Sequence, residues 1–347
     1  MRPYRRFAVI FQGRGRVFAG IVAPVALLTP LPLADAARLS REFGLDVTAI
    51  EPLEAGSVNS NFALTTADGG RYFARLYEEQ DRAGALAELR LVAALGDAGV
   101  PVVRCLPRAD GAGVGDFGGK AFAVFPWLEG EIACQKRVTP ALCRALGAAL
   151  ARVHLTTDQV ERPSEGRFRI VDLRARLERA EQSGRRELVA DVAFIRERLA
   201  HYELARAQVA APCGVIHSDL FRDNVLWTAG GELLALLDFE SACYGAFAYD
   251  IMVTIAAWCY GQSFERPRAE ALLAGYRAVR PLAADEVRAL KVEGAIGCLR
   301  FATTRITDFS LRAEPGQPPA RDYRRFLDRL RAIEAGVLDD VLVHALG

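Results

Sequence analysis

Residues 213–240 concentrate side chains whose types and spacing suit phosphoryl transfer. An apolar run ends in His217 and Asp219, Asn224 follows Asp219 by five positions, and a second apolar run ends in Asp238. One carboxylate can orient an attacking hydroxyl and accept its proton. An amide oxygen and a second carboxylate are ligands that suit Mg²⁺ on the phosphates. The segment therefore predicts a phosphotransfer centre built at the ends of short strands.

The spacing His-x-Asp-Leu-x-x-x-Asn matches the catalytic loop of protein kinases, with Ser218 where that loop has Arg. The segment 238–240 (Asp-Phe-Glu) resembles the Asp-Phe-Gly metal motif. A single Asp at the end of a strand can equally be a turn cap. The joint pattern favours the kinase-like interpretation. A turn at 229–231 folds the two short apolar strands together.

The preceding part of the chain predicts an antiparallel sheet with a flanking helix. A short helix over 34–43 is followed by strands over 47–53, 62–66 and 71–77, with a hairpin turn at 68–70. A second helix covers 81–98. Two further strands, 102–106 and 120–127, are joined by a Gly-rich loop over 110–119.

Four parts of this sheet region are candidates for binding a nucleotide. In a kinase-like sheet the first turn covers the ATP phosphates, which fits Ser57, and the third strand carries a cation, which is Arg75. Glu88 lies one position off the apolar stripe of its helix and can face Arg75. The alternatives are an outward-facing strand Arg and a solvated helix Glu. A hinge at 125–130 would bind adenine through its backbone, at Phe125 and Trp127.

The rest of the chain predicts helices, over 139–154, 170–208 and 248–260, and then to the end. The 170–208 stretch, in one or two helices, is expected to be a solvated outer face. His154 is expected to be a buried or capping residue. Asp250 either complements a helix N-terminus or braces the catalytic loop. Arg305 and Asp308 lie one helical turn apart and can pair with each other. The predicted division is an extension over 1–30, an N-lobe over 31–128 and a C-lobe over 129–347.

Composition excludes several classes of protein. The net charge of +1 and the pI near 7.6 argue against a nucleic-acid partner. No apolar run reaches the roughly 18 residues of a membrane span. Seven cysteines without a C-x-x-C pair indicate reduced thiols and a cytoplasmic protein. Five Arg before the apolar run 17–28 superficially fit an export signal, but Gly20 and Pro24 interrupt that run. A flexible extension, or a misassigned start near residue 22 or 25, fits better.

The chain resembles the aminoglycoside/choline kinase superfamily, through His217-x-Asp219-x-x-x-x-Asn224 and Asp238. Within it the chain is most similar to the homoserine kinases of this fold, in residues 58–62, 217–227, 238–250, 257–260, 275–282 and 299–308. The resemblance implies a bilobal α+β fold, with an antiparallel N-lobe sheet plus helix, a mostly helical C-lobe and ATP between them. It also implies Asp219 as catalytic base, Asn224 and Asp238 as Mg²⁺ ligands, and Arg75 in place of the usual Lys.

The activity implied by the resemblance is ATP-dependent phosphorylation of the L-homoserine hydroxyl, giving O-phospho-L-homoserine for threonine synthesis. A zwitterionic acceptor needs a cation, for which Arg300 or Arg305 is a candidate, and an anion, for which Asp308 or Glu240 is a candidate. Two alternatives stay open. One is a kinase of the same fold for an amino sugar, a choline-like compound or a hydroxylated amine. The other is a nucleotide-binding pseudokinase, which only Arg75 favours. The oligomeric state is left undetermined.

Overall fold

The computed structural model describes residues 29–53, 58–314, 317 and 319–344. These residues form two compact units. The first contains the described residues up to Ile132 together with Leu226–Glu240, and the second contains Ala133–Val225 and the described residues from Ser241 onward. The units differ from the predicted lobes mainly in the hairpin 226–240, which the prediction assigned to the C-lobe. Most of the predicted extension, and also Ser57, lie outside the described residues.

The first unit is built on a five-stranded antiparallel sheet in the order β1-β2-β3-β5-β4. Its strands are β1 (Val47–Leu53), β2 (Ser60–Thr66), β3 (Arg71–Leu76), β4 (Gly115–Phe117) and β5 (Lys120–Pro126). The predicted turn at 68–70 joins β2 to β3. Gly69 has a positive φ of 80°, a backbone conformation that glycine adopts at little cost. The flanking helices are α1 (Leu33–Arg41) and α2 (Arg82–Asp97). The predicted α+β first lobe is therefore confirmed.

The predicted strand over 102–106 is wrong. Val102 makes one isolated bridge to Leu236, and the backbone N–H of Leu106 donates to the Val124 carbonyl at 2.7 Å. Strand β5 instead pairs with β4, which lies inside the predicted Gly-rich loop. Gly118 and Gly119 both take positive φ values, so the chain reverses there in the shortest possible hairpin. A local hairpin competes better for the strand edge than a more distant segment does.

A small three-stranded sheet in the order β6-β8-β9 follows in the chain. It consists of β6 (Glu131–Ile132), β8 (Val225–Trp227) and β9 (Leu233–Leu236). The turn between β8 and β9 uses Gly231 at a φ of 83°. This hairpin places Asp238 two residues beyond the end of β9, close to where the apolar pattern predicted.

The second unit is mostly helical, which confirms the predicted second half of the fold. Its helices are α3 (Pro140–Leu155), α4 (Ile170–Gln182), α5 (Val189–Arg206), α6 (Phe247–Trp258), α7 (Arg266–Arg277), α8 (Ala284–Arg305), α9 (Arg324–Glu334) and α10 (Asp339–Val343). Two strands, β7 (Cys213–Ile216) and β10 (Cys243–Ala246), pair antiparallel. The 170–208 stretch forms two helices whose inner faces are buried through residues such as Leu173 and Ile195.

Helix α6 is buried along its whole length, so the predicted core helix is confirmed. Helices α3 and α7 approach each other unusually closely, at Gly147 and Gly275. A Cβ on either glycine would collide with a backbone carbonyl of the facing helix. This approach brings His154 and Tyr276 within hydrogen-bond distance. All seven cysteines are free thiols. Over the described residues, every helix is too short or too polar to cross a membrane.

Candidate active site

The loop that follows β7 holds Asp219 and Asn224 in one local arrangement. The Asn224 Nδ2 group donates to the Asp219 backbone carbonyl at 2.8 Å, and the Phe221 backbone N–H donates to the same carbonyl at 2.7 Å. Because the amide nitrogen of Asn224 is used inside the loop, its Oδ1 is the atom that can face a cation. The Trp258 indole N–H donates to the Leu220 carbonyl at 3.0 Å, which ties the loop to α6.

Asp250 holds the backbone just before Asp219. Its carboxylate accepts from the backbone N–H of His217 at 2.7 Å and from that of Ser218 at 2.8 Å. Ser218 has a φ of 61°, a left-handed conformation that an L-residue keeps only when its surroundings enforce it. Burial alone would raise the pKa of Asp250, but hydrogen bonds from His154 and the loop outweigh it and hold the pKa below the usual range. Of the two alternatives for Asp250, bracing the loop is the one the contacts favour.

Arg300 is the shortlisted acceptor-binding residue that contacts Asp219. Its Nη1 lies 3.0 Å from Asp219 Oδ1, and only 4% of its side chain is exposed. The guanidinium lies between the rings of Phe168 and Phe301, at 4.1 and 3.8 Å from their centroids. Its Nε is buried without a hydrogen-bond partner. A buried cation therefore neutralises one side of the predicted base.

In the first unit, Arg75 lies among three oxygen-bearing side chains. Its Nη1 is 3.7 Å from Glu88 Oε1 and 3.5 Å from Asp238 Oδ1, and its Nε donates to Asn61 Oδ1 at 3.4 Å. Burial would lower the pKa of Arg75, but Asp238 and its other neighbours outweigh burial and raise it. The predicted contact between Arg75 and Glu88 is present, and the outward-facing alternative is excluded.

Burial raises the pKa of Glu88 to about 8, although Arg75 opposes the shift. Between the ordinary value of 4.5 and about 8, the folded protein thus binds more protons than the unfolded chain does. The free energy of unfolding should therefore fall as pH rises through this window, by at most about 1.4 kcal/mol per pH unit. We expect Glu88→Gln to flatten this slope in urea unfolding measured across the window. The exposed Glu51→Gln serves as control, and an unchanged slope in Glu88→Gln would contradict the assignment.

Asp238 has the donor chemistry for a divalent cation. Its φ is 61°, again a left-handed conformation, and its Oδ1 is buried without a hydrogen-bond partner. Such a buried oxygen, offset only by the ion pair to Arg75, is suited to a bound cation. Among the residues that the structure describes, no group of three or more His, Cys, Asp or Glu is placed so that it could hold a metal ion by itself. Mg²⁺ fits these residues only as an ion that takes part of its shell from phosphate and water.

Two acceptor-binding candidates are occupied elsewhere in the second unit. Asp308 pairs with Arg176 at 2.7 Å, and Arg305 Nη1 donates to the Asp322 carbonyl at 2.9 Å. The anticipated pairing of Arg305 with Asp308 is therefore wrong. Helix α8 ends at Arg305 and continues as a π-helical turn over Ile306–Ser310. In a π-helical turn, residues three positions apart no longer lie one above the other as they do in an α-helix.

The remaining candidates lie in the first unit. Glu240 Oε2 accepts from Asn59 Nδ2 at 2.9 Å, so this carboxylate has a polar partner within its own unit. Phe125 packs on Phe73, with 5.9 Å between the ring centroids. The Trp127 ring is buried beneath the Arg71 guanidinium at 4.1 Å. A nucleotide would thus meet the backbone of this segment rather than the Trp127 side chain.

Sequence reasoning gave no role to several residues that hold the site. Asn59 and Asn61 are buried amides at and beside the start of β2, and they contact Glu240 and Arg75. Two amides two positions apart, just before the apolar residues 62–64 of the strand, were the available signal. His154, expected only to be buried, contacts Asp250 at 3.1 Å.

The kinase-like sheet of the first unit and the Asp-x-x-x-x-Asn loop of the second are each typical of phosphotransferases. The chain belongs to the phosphotransferase enzyme family, whose family model matches residues 49–282. It is 35% identical over 286 residues to the homoserine kinase of Chelativorans sp. strain BNC1, covering 80% of this chain and 85% of that protein. To the homoserine kinase of Methylobacterium radiotolerans it is 38% identical over 282 residues, covering 79% and 85%.

A solved amicoumacin kinase, in complex with AMP-PNP, Ca²⁺ and Ami, has a similar fold. The TM-score is 0.63 at 18% identity, and the match covers 84% of this chain and 88% of that one. The predicted bilobal kinase-like fold and the predicted phosphotransferase class are therefore confirmed.

Proposed function

We propose that the protein transfers the γ-phosphoryl group of ATP to the hydroxyl of L-homoserine, giving O-phospho-L-homoserine and ADP. The observation that carries the proposal is the identity to homoserine kinases over about four fifths of the chain. The buried pair of Asp219 with Arg300 supports it, because it places a cation beside the predicted base. Seven free thiols and ATP dependence fit a cytoplasmic enzyme.

Most of the groups that would act on the nucleotide belong to the first unit, and Asn224 belongs to the second. Arg75 would neutralise phosphate oxygens, with Glu88 and Asn61 fixing its guanidinium. The carboxylate of Asp238 and the Oδ1 of Asn224 would hold Mg²⁺, which offsets negative charge on the phosphates when it is bound. Adenine would bind to backbone groups near Phe125 and Trp127, and the phosphate turn would include Ser57.

The second unit would supply the acceptor chemistry. Asp219 orients the homoserine hydroxyl and accepts its proton as the oxygen attacks phosphorus, while ADP leaves with the bond electrons. Arg300 holds Asp219 in place and offers a buried cation for the substrate carboxylate. Of the two candidates for the ammonium group, Asp308 is paired with Arg176. The other, Glu240, belongs to the first unit, where Asn59 donates to it.

Substitution of Arg300 should affect the acceptor more than ATP. We expect Arg300→Met to lower kcat/KM for homoserine by about 10- to 100-fold, the cost of losing hydrogen bonds to a charged group. The KM for ATP should stay near its original value. Arg305→Met is the matched comparison, because its guanidinium bonds to a backbone carbonyl and packs on Phe326. A larger effect in Arg305→Met would transfer the role to that residue.

A panel of acceptors tests the proposed substrate. ADP release would be followed with homoserine, serine, threonine, choline, ethanolamine and an aminoglycoside, each with ATP and Mg²⁺. We expect homoserine to give the highest kcat/KM. Serine and threonine carry the same three groups, but their hydroxyl lies one carbon closer to the carboxylate and ammonium, and the other acceptors lack the carboxylate. An inactive homoserine beside another active acceptor would overturn the substrate. Bound ATP without transfer to any acceptor would favour a pseudokinase.

A further inference from the structure

A buried hydrogen-bonded chain runs from α7 through α3 to the loop that carries Asp219. His154 Nδ1 lies 2.6 Å from the Tyr276 hydroxyl, and His154 Nε2 lies 3.1 Å from Asp250 Oδ2. Arg280 Nη1 donates to the Tyr276 oxygen at 3.1 Å and to Glu286 at 2.8 Å. Both the His154 and the Asp250 side chains are fully buried.

The chemistry of its two ends gives this chain a single direction. A guanidinium can only donate, so the Tyr276 oxygen accepts from Arg280. The buried Tyr276 O–H needs an acceptor of its own, and His154 Nδ1 at 2.6 Å is in place to be that acceptor. An ionised carboxylate can only accept, so His154 Nε2–H donates to Asp250. His154 must then be the neutral Nε2–H tautomer. Burial, which lowers the pKa of His154, agrees with this assignment.

The nearby guanidinium of Arg280 also favours a neutral imidazole, since burial lowers the pKa of His154 and this positive charge lowers it further. Phe247 stacks on the imidazole with 4.5 Å between the ring centroids, and Arg280 lies over the same Phe247 ring at 4.4 Å. The close approach of α3 and α7 at Gly147 and Gly275 sets the spacing of His154 and Tyr276. Each polar group of the chain therefore has its partner, as a buried network requires.

We propose that His154 and Tyr276 are positioning residues for phosphotransfer, acting through Asp250. The carboxylate of Asp250 must accept from two successive backbone N–H groups, of His217 and Ser218, to keep Ser218 left-handed. The Nε2–H of His154 fixes the rotation of that carboxylate. Loss of this restraint would let the backbone of Ser218 relax, and Asp219 would then move away from the acceptor hydroxyl that it orients. The kinetic part of this inference depends on the proposed function; the assignment of the tautomer does not.

The kinetic test compares His154→Leu, His154→Gln and Tyr276→Phe. We expect His154→Leu to lower kcat by about 10- to 100-fold while the KM for ATP stays within about twofold. His154→Gln should recover most of kcat, since its amide nitrogen can donate to Asp250 as Nε2–H does. Tyr276→Phe should be intermediate, because the donor to Asp250 remains. Leu177→Ala is the control for lost stability, because Leu177 is buried in α4 and lies outside the hydrogen-bonded chain. It should lower Tm by a similar amount and leave kcat unchanged.

The structural test is the ¹⁵N NMR spectrum of the imidazole groups. The chain has four histidines, so single substitutions assign every ring. We expect His154 to show a protonated Nε2 and a bare Nδ1, with the Nδ1 signal shifting in Tyr276→Phe. An Nδ1–H tautomer of His154 would overturn the proposed direction of the hydrogen-bonded chain. A folded His154→Leu with the original kcat, or a His154→Gln no better than it, would overturn the positioning role.

Failure of this inference is distinguishable from failure of the proposed function. If homoserine is inactive as acceptor, the proposed function fails and the NMR spectrum still decides the direction of the chain. If His154→Leu does not fold, Tyr276→Phe retains the fold's main contacts and decides the role. An unchanged kcat together with an unchanged Nδ1 signal in Tyr276→Phe would then overturn it.

Discussion

Asp219→Asn should lower kcat by about 10²- to 10⁴-fold, the range that a positioned general base contributes. The substitution removes the group that accepts the proton of the acceptor hydroxyl, but it keeps the side-chain volume. Because the backbone carbonyl of Asp219, not its side chain, holds Asn224 Nδ2, the loop should keep its conformation. The affinity for ATP, measured by equilibrium titration, should change little.

The matched control for this variant lies in the same loop. Asp223→Asn removes a carboxylate that is more than half exposed and lies 3.6 Å from Arg321. We expect it to retain turnover, since an exposed pair of this kind contributes little to structure. Turnover retained by Asp219→Asn would remove Asp219 from the role of base.

Asp238→Asn should lower kcat by about 10²- to 10³-fold, the typical cost of removing one electrostatic group aimed at developing charge. The variant keeps an oxygen but loses the negative charge, so it should need a higher Mg²⁺ concentration for half-maximal rate. Arg75 should also lose its 3.5 Å ion pair. Titration of the rate with Mg²⁺ at saturating ATP measures this change.

Glu232→Gln serves as control for Asp238→Asn, because Glu232 is an exposed residue in the turn of the same hairpin. It should leave both kcat and the Mg²⁺ requirement unchanged. A Mg²⁺ requirement that does not shift in Asp238→Asn would exclude this carboxylate as a metal ligand. The other candidate, Asn224, would then need a different partner.

The parts of the fold that follow from local chemistry could be predicted from the sequence. Periodicity over a few residues sets where the strands before Asp219 and Asp238 end. It also shows that Glu88 lies off the apolar stripe of its helix. The resemblance to small-molecule kinases rests on that local pattern. The contact of Glu88 with Arg75 was predicted correctly, because a kinase-like sheet pairs the cation of its third strand with a helix Glu.

Features that depend on competition or on distant contacts could not be predicted. The 102–106 segment has strand-like composition, but two glycines at 118 and 119 allowed a nearer hairpin to occupy the edge of β5. Arg305 and Asp308 could have paired across one turn of a regular α-helix, but the π-helical turn after α8, which has no sequence signal, changes their spacing. His154 lies 122 positions from Tyr276, and no spacing rule connects them.

The central claim is tested most directly by ³¹P NMR of a reaction containing the protein, L-homoserine, ATP and Mg²⁺. The account predicts a new phosphomonoester signal that matches authentic O-phospho-L-homoserine and grows in step with ADP. The same mixture with Asp219→Asn should show almost none. ATP consumption that gives only inorganic phosphate, or no phosphomonoester with homoserine while another acceptor is phosphorylated, would contradict it.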